Sequence, residues 1–252
     1  MPMHLETIYQ GQTLVLGHRG ASAYAPMNTL PAFFLAADQG ADGIELDVHL
    51  TRDRQLIVLH DFTVDHTTDG QGLACEMTLA DIKQLDAGGW FDESFRGTRI
   101  PTLDEVFEAG GQRFRLINVE IKSESQEKTD GVEQAVADAI VHINLAQRII
   151  VSSFNPFALR RFRTILPEVA VGYLYAPDGP DTQHIMAEVP HEARHPHYSL
   201  IDEHFVAWAH AEGYRVNTWT VNDPDAARML HRLGVDAVMT DYPDRIVEAL
   251  RG

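Results

Sequence analysis

The 252-residue chain has a single cysteine, Cys75, and little positive charge: 20 Lys and Arg stand against 37 Asp and Glu, a formal net charge of −17. One thiol excludes an internal disulfide and fits a reducing compartment. The acidic balance excludes nucleic acid as a partner, because phosphate backbones are held by basic surfaces. It also speaks against an anionic membrane surface. No apolar run approaches the roughly 18 residues that span a bilayer, and residues 1–7 carry no basic start followed by an apolar core. A cytoplasmic protein without stable membrane association is expected. Low-complexity tracts, convincing internal repeats and long linkers are missing too.

What is present is alternation. Runs rich in Val, Ile and Leu lie near 14–18, 43–50, 56–59, 114–121, 148–153, 169–175, 195–200, 214–220 and 235–240, with helical patterns between them. This predicts parallel strands and crossover helices in one domain over 1–252, a length normal for a (β/α)8 TIM barrel. Nine runs are one too many. The turn 51–55 is too short for a parallel crossover, so 43–50 and 56–59 are predicted to form an antiparallel hairpin. Asn28 reads as the cap of a helix through Asp38, with Pro31 in its first turn and Gly40 as its stop. Thr102-Leu103-Asp104-Glu105 is a capping box, and Asn222-Asp223-Pro224 opens a helix stopped by Gly234. The stretch 62–113, holding a short helix near 79–86, reads as an insertion over the active-site face.

Polar residues punctuate the strand ends: Gly17-His18-Arg19-Gly20, Glu45-Leu46-Asp47, Leu59-His60-Asp61 and Glu120-Ile121-Lys122. Glu45 and Asp47 are two apart, so on a strand they share a face. Converging carboxylates repel unless a cation or proton neutralises them. With Glu120 they form an all-oxygen set that selects one hard divalent cation, Mg²⁺ or Ca²⁺. His18 and His60 are acid/base candidates, since histidine titrates near neutrality. Arg19 can clasp a phosphate in a fork, and Lys122 shares the parity of Glu120. A phosphate-bearing small molecule therefore remains allowed despite the acidic chain. This inventory points to metal-assisted phosphoryl chemistry. Trp219 ends a strand and suits an aromatic wall for a substrate. His191, His195, His197, His204 and His210 lack a ligand spacing, and a surface or helix-face role is expected for them.

The set of motifs resembles the glycerophosphodiester phosphodiesterase family. The matching residues are His18-Arg19-Gly20, Pro26-Met27-Asn28-Thr29, Glu45-Leu46-Asp47-Val48, Leu59-His60-Asp61, Glu120-Ile121-Lys122 and Trp219-Thr220-Val221-Asn222. Ser152-Ser153-Phe154 and Thr240-Asp241-Tyr242-Pro243 also look like family strand ends, and the resemblance runs from about 14 to 245. It implies a barrel fold, a divalent cation on Glu45, Asp47 and Glu120, and His18 and His60 as the acid/base pair. It further implies hydrolysis of a glycerophosphodiester to glycerol 3-phosphate and an alcohol, with Arg19, Lys122, Trp219 and Asn28 as substrate-binding candidates. Met27 departs from the pattern, standing where the family usually carries glutamate. A neutral thioether cannot ligate a hard cation. The alternative readings are a phospholipase-type phosphodiesterase of the same superfamily and a weakly active phosphodiester-binding barrel. A homodimer is compatible with the sequence, which leaves the oligomeric state, the leaving alcohol and the choice of cation open.

Overall fold

A computed structural model describes residues 4–123, 131–179 and 182–252. In chain order the elements are α1 (His4–Tyr9), β1 (Leu14–His18), α2 (Leu30–Asp38), β2 (Gly43–Leu50), β3 (Leu56–Val58), α3 (Leu79–Ile82), α4 (Leu103–Gly110), β4 (Leu116–Ile121) and α5 (Val132–Ile143). There follow β5 (Ile149–Ser153), α6 (Pro156–Ile165), β6 (Ala170–Tyr175), α7 (Gln183–Met186), β7 (Ala193–Pro196), α8 (Glu203–Ala211), β8 (Arg215–Thr218), α9 (Pro224–Leu233), β9 (Ala237–Thr240) and α10 (Pro243–Arg251).

The sheet order β1-β9-β8-β7-β6-β5-β4-β2-β3, with an added β1–β2 pairing, closes eight parallel strands into a (β/α)8 barrel. The ninth strand is the expected hairpin partner: β3 runs antiparallel to β2, with Val48 opposite Val58 and Leu50 opposite Leu56. Every residue of β2 and β4 is buried, as strands covered on both faces require.

Inside the barrel, Leu14, Leu16, Leu116, Ile150, Ala170, Ala193, Ala237 and Met239 form one cluster with Leu5, Ile8 and Tyr9 of α1. Several of these are first residues of strands, so α1 plugs the N-terminal mouth. The opposite mouth, where βα loops emerge, is left for function. Outside, the strands pack on two larger apolar clusters that hold the helices.

Local signals explain most boundaries. Thr102 caps α4 by accepting from the Glu105 N–H at 3.1 Å, while Glu105 accepts from the Thr102 N–H at 2.8 Å. Asp223 caps α9 by accepting from the Asp225 N–H, and Gly234 ends it at φ +89°. Of the stretch 62–113, α4 packs against α2 and α5 as a member of the outer ring. The part before it carries its own small cluster of Ile57, Leu59, Val64, Ala74, Ile82, Ala87 and Ile100.

Three expectations are corrected. The strand expected at 195–200 is β7, Ala193–Pro196, and Tyr198–Leu200 turn instead. Asn28 is not the cap of α2: Thr29 holds that place with extended φ −123°, while Asn28 sits at φ +58°, outside the region an N-cap occupies. His195, expected on a surface or helix face, is fully buried inside the barrel, because the register of β7 turns it inward.

Candidate functional site

Strand register brings the polar strand ends together. His18 pairs with Glu45 across β1 and β2, Glu45 with Asn118, and Asp47 with Glu120 across β2 and β4. The β2–β3 hairpin returns the chain so that Leu59 N–H donates to the Asp47 carbonyl at 3.0 Å, which sets His60 beside the cluster. His18, Arg19, Glu45, His60, Glu120, Lys122 and Trp219 line one cleft of about 180 Å³, joined by Asn118, Phe154, Leu174 and Met239. Seven of the nine residues singled out from sequence thus share one wall-to-wall space.

The remaining two, Asp47 and Asn28, stand just behind it, 1% and 3% exposed. Asn28 donates its amide to Asp47 Oδ2 at 2.8 Å, and its side-chain oxygen accepts from the Asp47 N–H at 3.4 Å. Its left-handed backbone turns it there. The preceding Gly20, at φ +89°, could carry no Cβ: one would meet the Ala32 backbone at 2.6 Å. That close approach lets the His18-Arg19-Gly20 turn fold down on α2.

One oxygen from each of Glu45, Asp47 and Glu120 lies within 4.8 Å of the others. Burial, with Asp47 and Glu120 close by, pushes the Glu45 carboxyl well above its usual range. Burial and then Asp47 push Glu120 up to about 7. Burial also opposes ionisation of Asp47, yet Lys122, Arg19, His60 and the Asn28 amide hold it down at about 2. Asp47 Oδ1 has no hydrogen-bond partner, although Lys122 Nζ stands 3.6 Å away. Lys122 donates to Glu120 Oε1 at 3.0 Å. Burial opposes its charge, but Glu120 and Asp47 raise its pKa all the same. Three buried carboxylates, one with an orphaned oxygen, fit a hard divalent cation.

The two imidazoles are held from behind. His18 Nδ1 meets Asp241 Oδ1 at 2.7 Å, so Nε2 faces the cleft, 4.0 Å from Glu45 Oε2. Asp241 also accepts from Ser22 Oγ at 2.9 Å and Asn222 Nδ2 at 2.7 Å. Burial works against its charge, but these donors hold its carboxyl at about 2. His60 Nδ1 meets Asp61 Oδ1 at 2.6 Å, and His66 Nδ1 meets the other Asp61 oxygen at 2.9 Å. Burial draws the His60 imidazole below its ordinary value. Each histidine therefore presents a ring nitrogen to the cleft with its tautomer set by a carboxylate.

Arg19 is fixed at φ +56°. Its N–H donates to the Glu45 side chain at 3.1 Å, its Nη1 reaches Met27 Sδ at 3.5 Å, and its Nε lies 3.5 Å from Asp47 Oδ2. Trp219 forms the far wall edge-on to Phe154, ring centroids 5.5 Å apart, and donates Nε1–H to the His195 carbonyl at 2.9 Å.

Sequence reasoning gave no role to Asp241, Ser22, Asn222 or Asp61. Asp241 directly follows β9 and Asp61 directly follows His60. Both, like Asn222, stand in the motifs that carry the family resemblance, which was the usable signal; Ser22 offered none, since only folding brings it to Asp241.

The family model for the glycerophosphoryl diester phosphodiesterase family matches residues 18–245. The chain belongs to that family. A glycerophosphodiester phosphodiesterase of Caldanaerobacter subterraneus is 41% identical, over 95% of this chain and 98% of its own. Among solved structures, an Oleispira antarctica phosphodiesterase in complex with the product sn-glycerol-3-phosphate is 35% identical, with a TM-score of 0.84, covering 97% of this chain and 99% of that one. A glycerophosphodiester phosphodiesterase from Agrobacterium tumefaciens is 29% identical, with a TM-score of 0.82, covering 94% of this chain and all of that one (100%). The protein is an enzyme, a phosphoric diester hydrolase of this family. No helix of the described residues is long and apolar enough to cross a membrane.

Proposed function

We propose that the cleft hydrolyses glycerophosphodiesters to glycerol 3-phosphate and an alcohol with one divalent cation, Mg²⁺ or Ca²⁺, and paired histidines. The observation that carries this is the convergence of Glu45, Asp47 and Glu120 oxygens within 4.8 Å, directly beside His18. Those three residues would hold the cation. When bound it supplies Lewis acidity toward a phosphoryl oxygen and neutralises the buried carboxylates.

The protein groups do the rest. Arg19 and Lys122, both bordering the carboxylates, bind the anionic phosphoryl oxygens by charge-assisted hydrogen bonds. One imidazole takes a proton from the attacking oxygen and the other gives one to the leaving alkoxide, a contribution of about 10²–10⁴-fold. The attacking oxygen is either water itself or the neighbouring glycerol hydroxyl, which forms a cyclic phosphate that water then opens. Asp241 and Asp61 hold the two rings in position and stabilise each when it is protonated. Asn28 acts as a positioning residue for Asp47 rather than as a contact to substrate. Trp219 and Phe154 wall the side where a glycerol backbone packs.

The deciding experiment follows release of glycerol 3-phosphate from glycerophosphocholine and glycerophosphoethanolamine with Mg²⁺, Ca²⁺ or chelator. Cation-dependent release that disappears in His18→Ala and Glu45→Ala is the expected result. Release unaffected by chelator, or retained in either variant, refutes the mechanism.

A further inference from the structure

Arg194 on β7 is only 7% exposed, and it is not part of the catalytic cleft. Tyr173 is its register partner on β6. Strand alternation turns both outward, while their neighbours Leu174 and His195 face the barrel interior. The guanidinium carbon lies 5.9, 5.3 and 4.7 Å from the ring centroids of Tyr173, Trp208 and Tyr214. Its Nε has no hydrogen-bond partner, and no carboxylate of the described residues lies within ion-pairing distance. Beside it opens a cavity of about 400 Å³, bounded by Tyr173, Tyr175, Leu200, Phe205, Trp208 and Arg194 itself. It shares no residue with the cleft.

A buried cation without a counter-charge is costly even after relaxation. Each ring face offsets only part of that cost, and a ring face does not satisfy the planar fork of N–H donors. The Tyr175 hydroxyl, on the cavity wall, is a neutral hydrogen-bond partner of the guanidinium, so among the described residues the positive charge keeps aromatic and hydroxyl partners but no anionic one. The cavity volume falls in the range of small-molecule sites, which are mostly apolar with a few placed polar groups. One guanidinium in a chain of net charge −17 suits a single negative charge. Half-exposed Trp208, at 44%, offers a flat face for a planar body.

We infer that this cavity is a second ligand site, which binds a small carboxylate with a planar apolar body, the carboxylate on Arg194 and the body against Trp208 and Phe205.

The test titrates benzoate into ¹⁵N-labelled protein and follows the indole signals of Trp208 and Trp219, assigned with Trp208→Phe. Benzamide, neutral and of the same shape, is titrated in parallel. A saturable shift at Trp208 but not Trp219, with a benzoate Kd of about 1 mM or lower, is the expected result. Benzamide should bind at least about tenfold more weakly, and Arg194→Met should weaken benzoate by a similar factor. Equal binding of the two probes, no saturable shift at Trp208, or unchanged titration of Arg194→Met overturns the inference. So does a Trp208 shift that follows protein concentration without added probe, since a second copy would then cover the cavity. The two-probe comparison uses the unmodified protein, so it decides the matter even if Arg194→Met fails to fold.

Discussion

Asp241 accepts from His18, Ser22 and Asn222, and its amide replacement would keep the size while removing the charge. Asp241→Asn is expected to lower kcat by about 10²–10⁴-fold, the usual scale for a mispositioned acid/base group, with KM nearly unchanged. Steady-state kinetics with glycerophosphocholine, beside a circular dichroism spectrum to confirm folding, would check this. Met27 poses the opposite question. Outer-shell losses ordinarily cost about 10–100-fold, yet Arg19 is already anchored by the Glu45 side chain through its N–H and by Asp47 near its Nε. Met27→Glu should therefore raise kcat/KM by no more than about tenfold. A larger gain would mean that the present chain is a weak catalyst.

At the scale of elements, the capping box of α4 and the pair behind β9 carry measurable stability. Thr102→Ala removes the acceptor for the Glu105 N–H and should cost about 1 kcal/mol, or about 2–4 °C in Tm for a domain of this size. His210 of α8 lies 2.8 Å from Asp236 Oδ2. That hydrogen bond raises its pKa above the ordinary 6.5, opposed by burial and by Arg215, which also contacts Asp236. A raised folded pKa means the stabilisation is complete below the unfolded value of 6.5 and lost as pH rises through the folded one. His210→Asn should then flatten the stability curve just above pH 6.5, by less than about 1 kcal/mol because the imidazole is partly exposed. Urea denaturation at several pH values would show it.

The strands most readable in the sequence are those whose residues are apolar on both faces, such as β2 and β4. Ala193-Arg194-His195-Pro196 defeated that reading because its inward position is a histidine and its outward one an arginine held by rings. Asn28 was misread for a related reason: its residue type suits a helix cap, and only tertiary contact with Asp47 overrides that preference. The carboxylate cluster was legible in part because a spacing of two residues puts Glu45 and Asp47 on one face of β2. The Asp241 network was not, since its members are joined only by barrel closure.

For the whole molecule, the buried carboxylates set a stability problem that a bound cation would resolve. Mg²⁺ or Ca²⁺ should raise Tm, by about 2.7 kcal/mol of linkage at roughly 100 times its Kd. In chelator, Glu45→Gln should melt above the parent, because it removes a buried group crowded by Asp47 and Glu120, and its response to cation should be reduced. Scanning fluorimetry with and without chelator measures both. A Glu45→Gln protein that melts lower in chelator and responds fully to cation would refute the cluster as the binding site.

The contact between His18 and Asp241 spans 223 positions, and β1 joins β9 through Leu14–Gly17 and Ala237–Thr240. Sequence-distant pairings of this kind form late, because a long loop must close before they give any return. During synthesis, the first strand therefore waits with its histidine unanchored until the last strand has emerged from the ribosome. A nascent chain stalled before residue 241 would carry the entire carboxylate cluster and still lack the group that aligns its first imidazole. On the mechanism proposed above, full hydrolytic competence would be reached only when the ring of strands shuts.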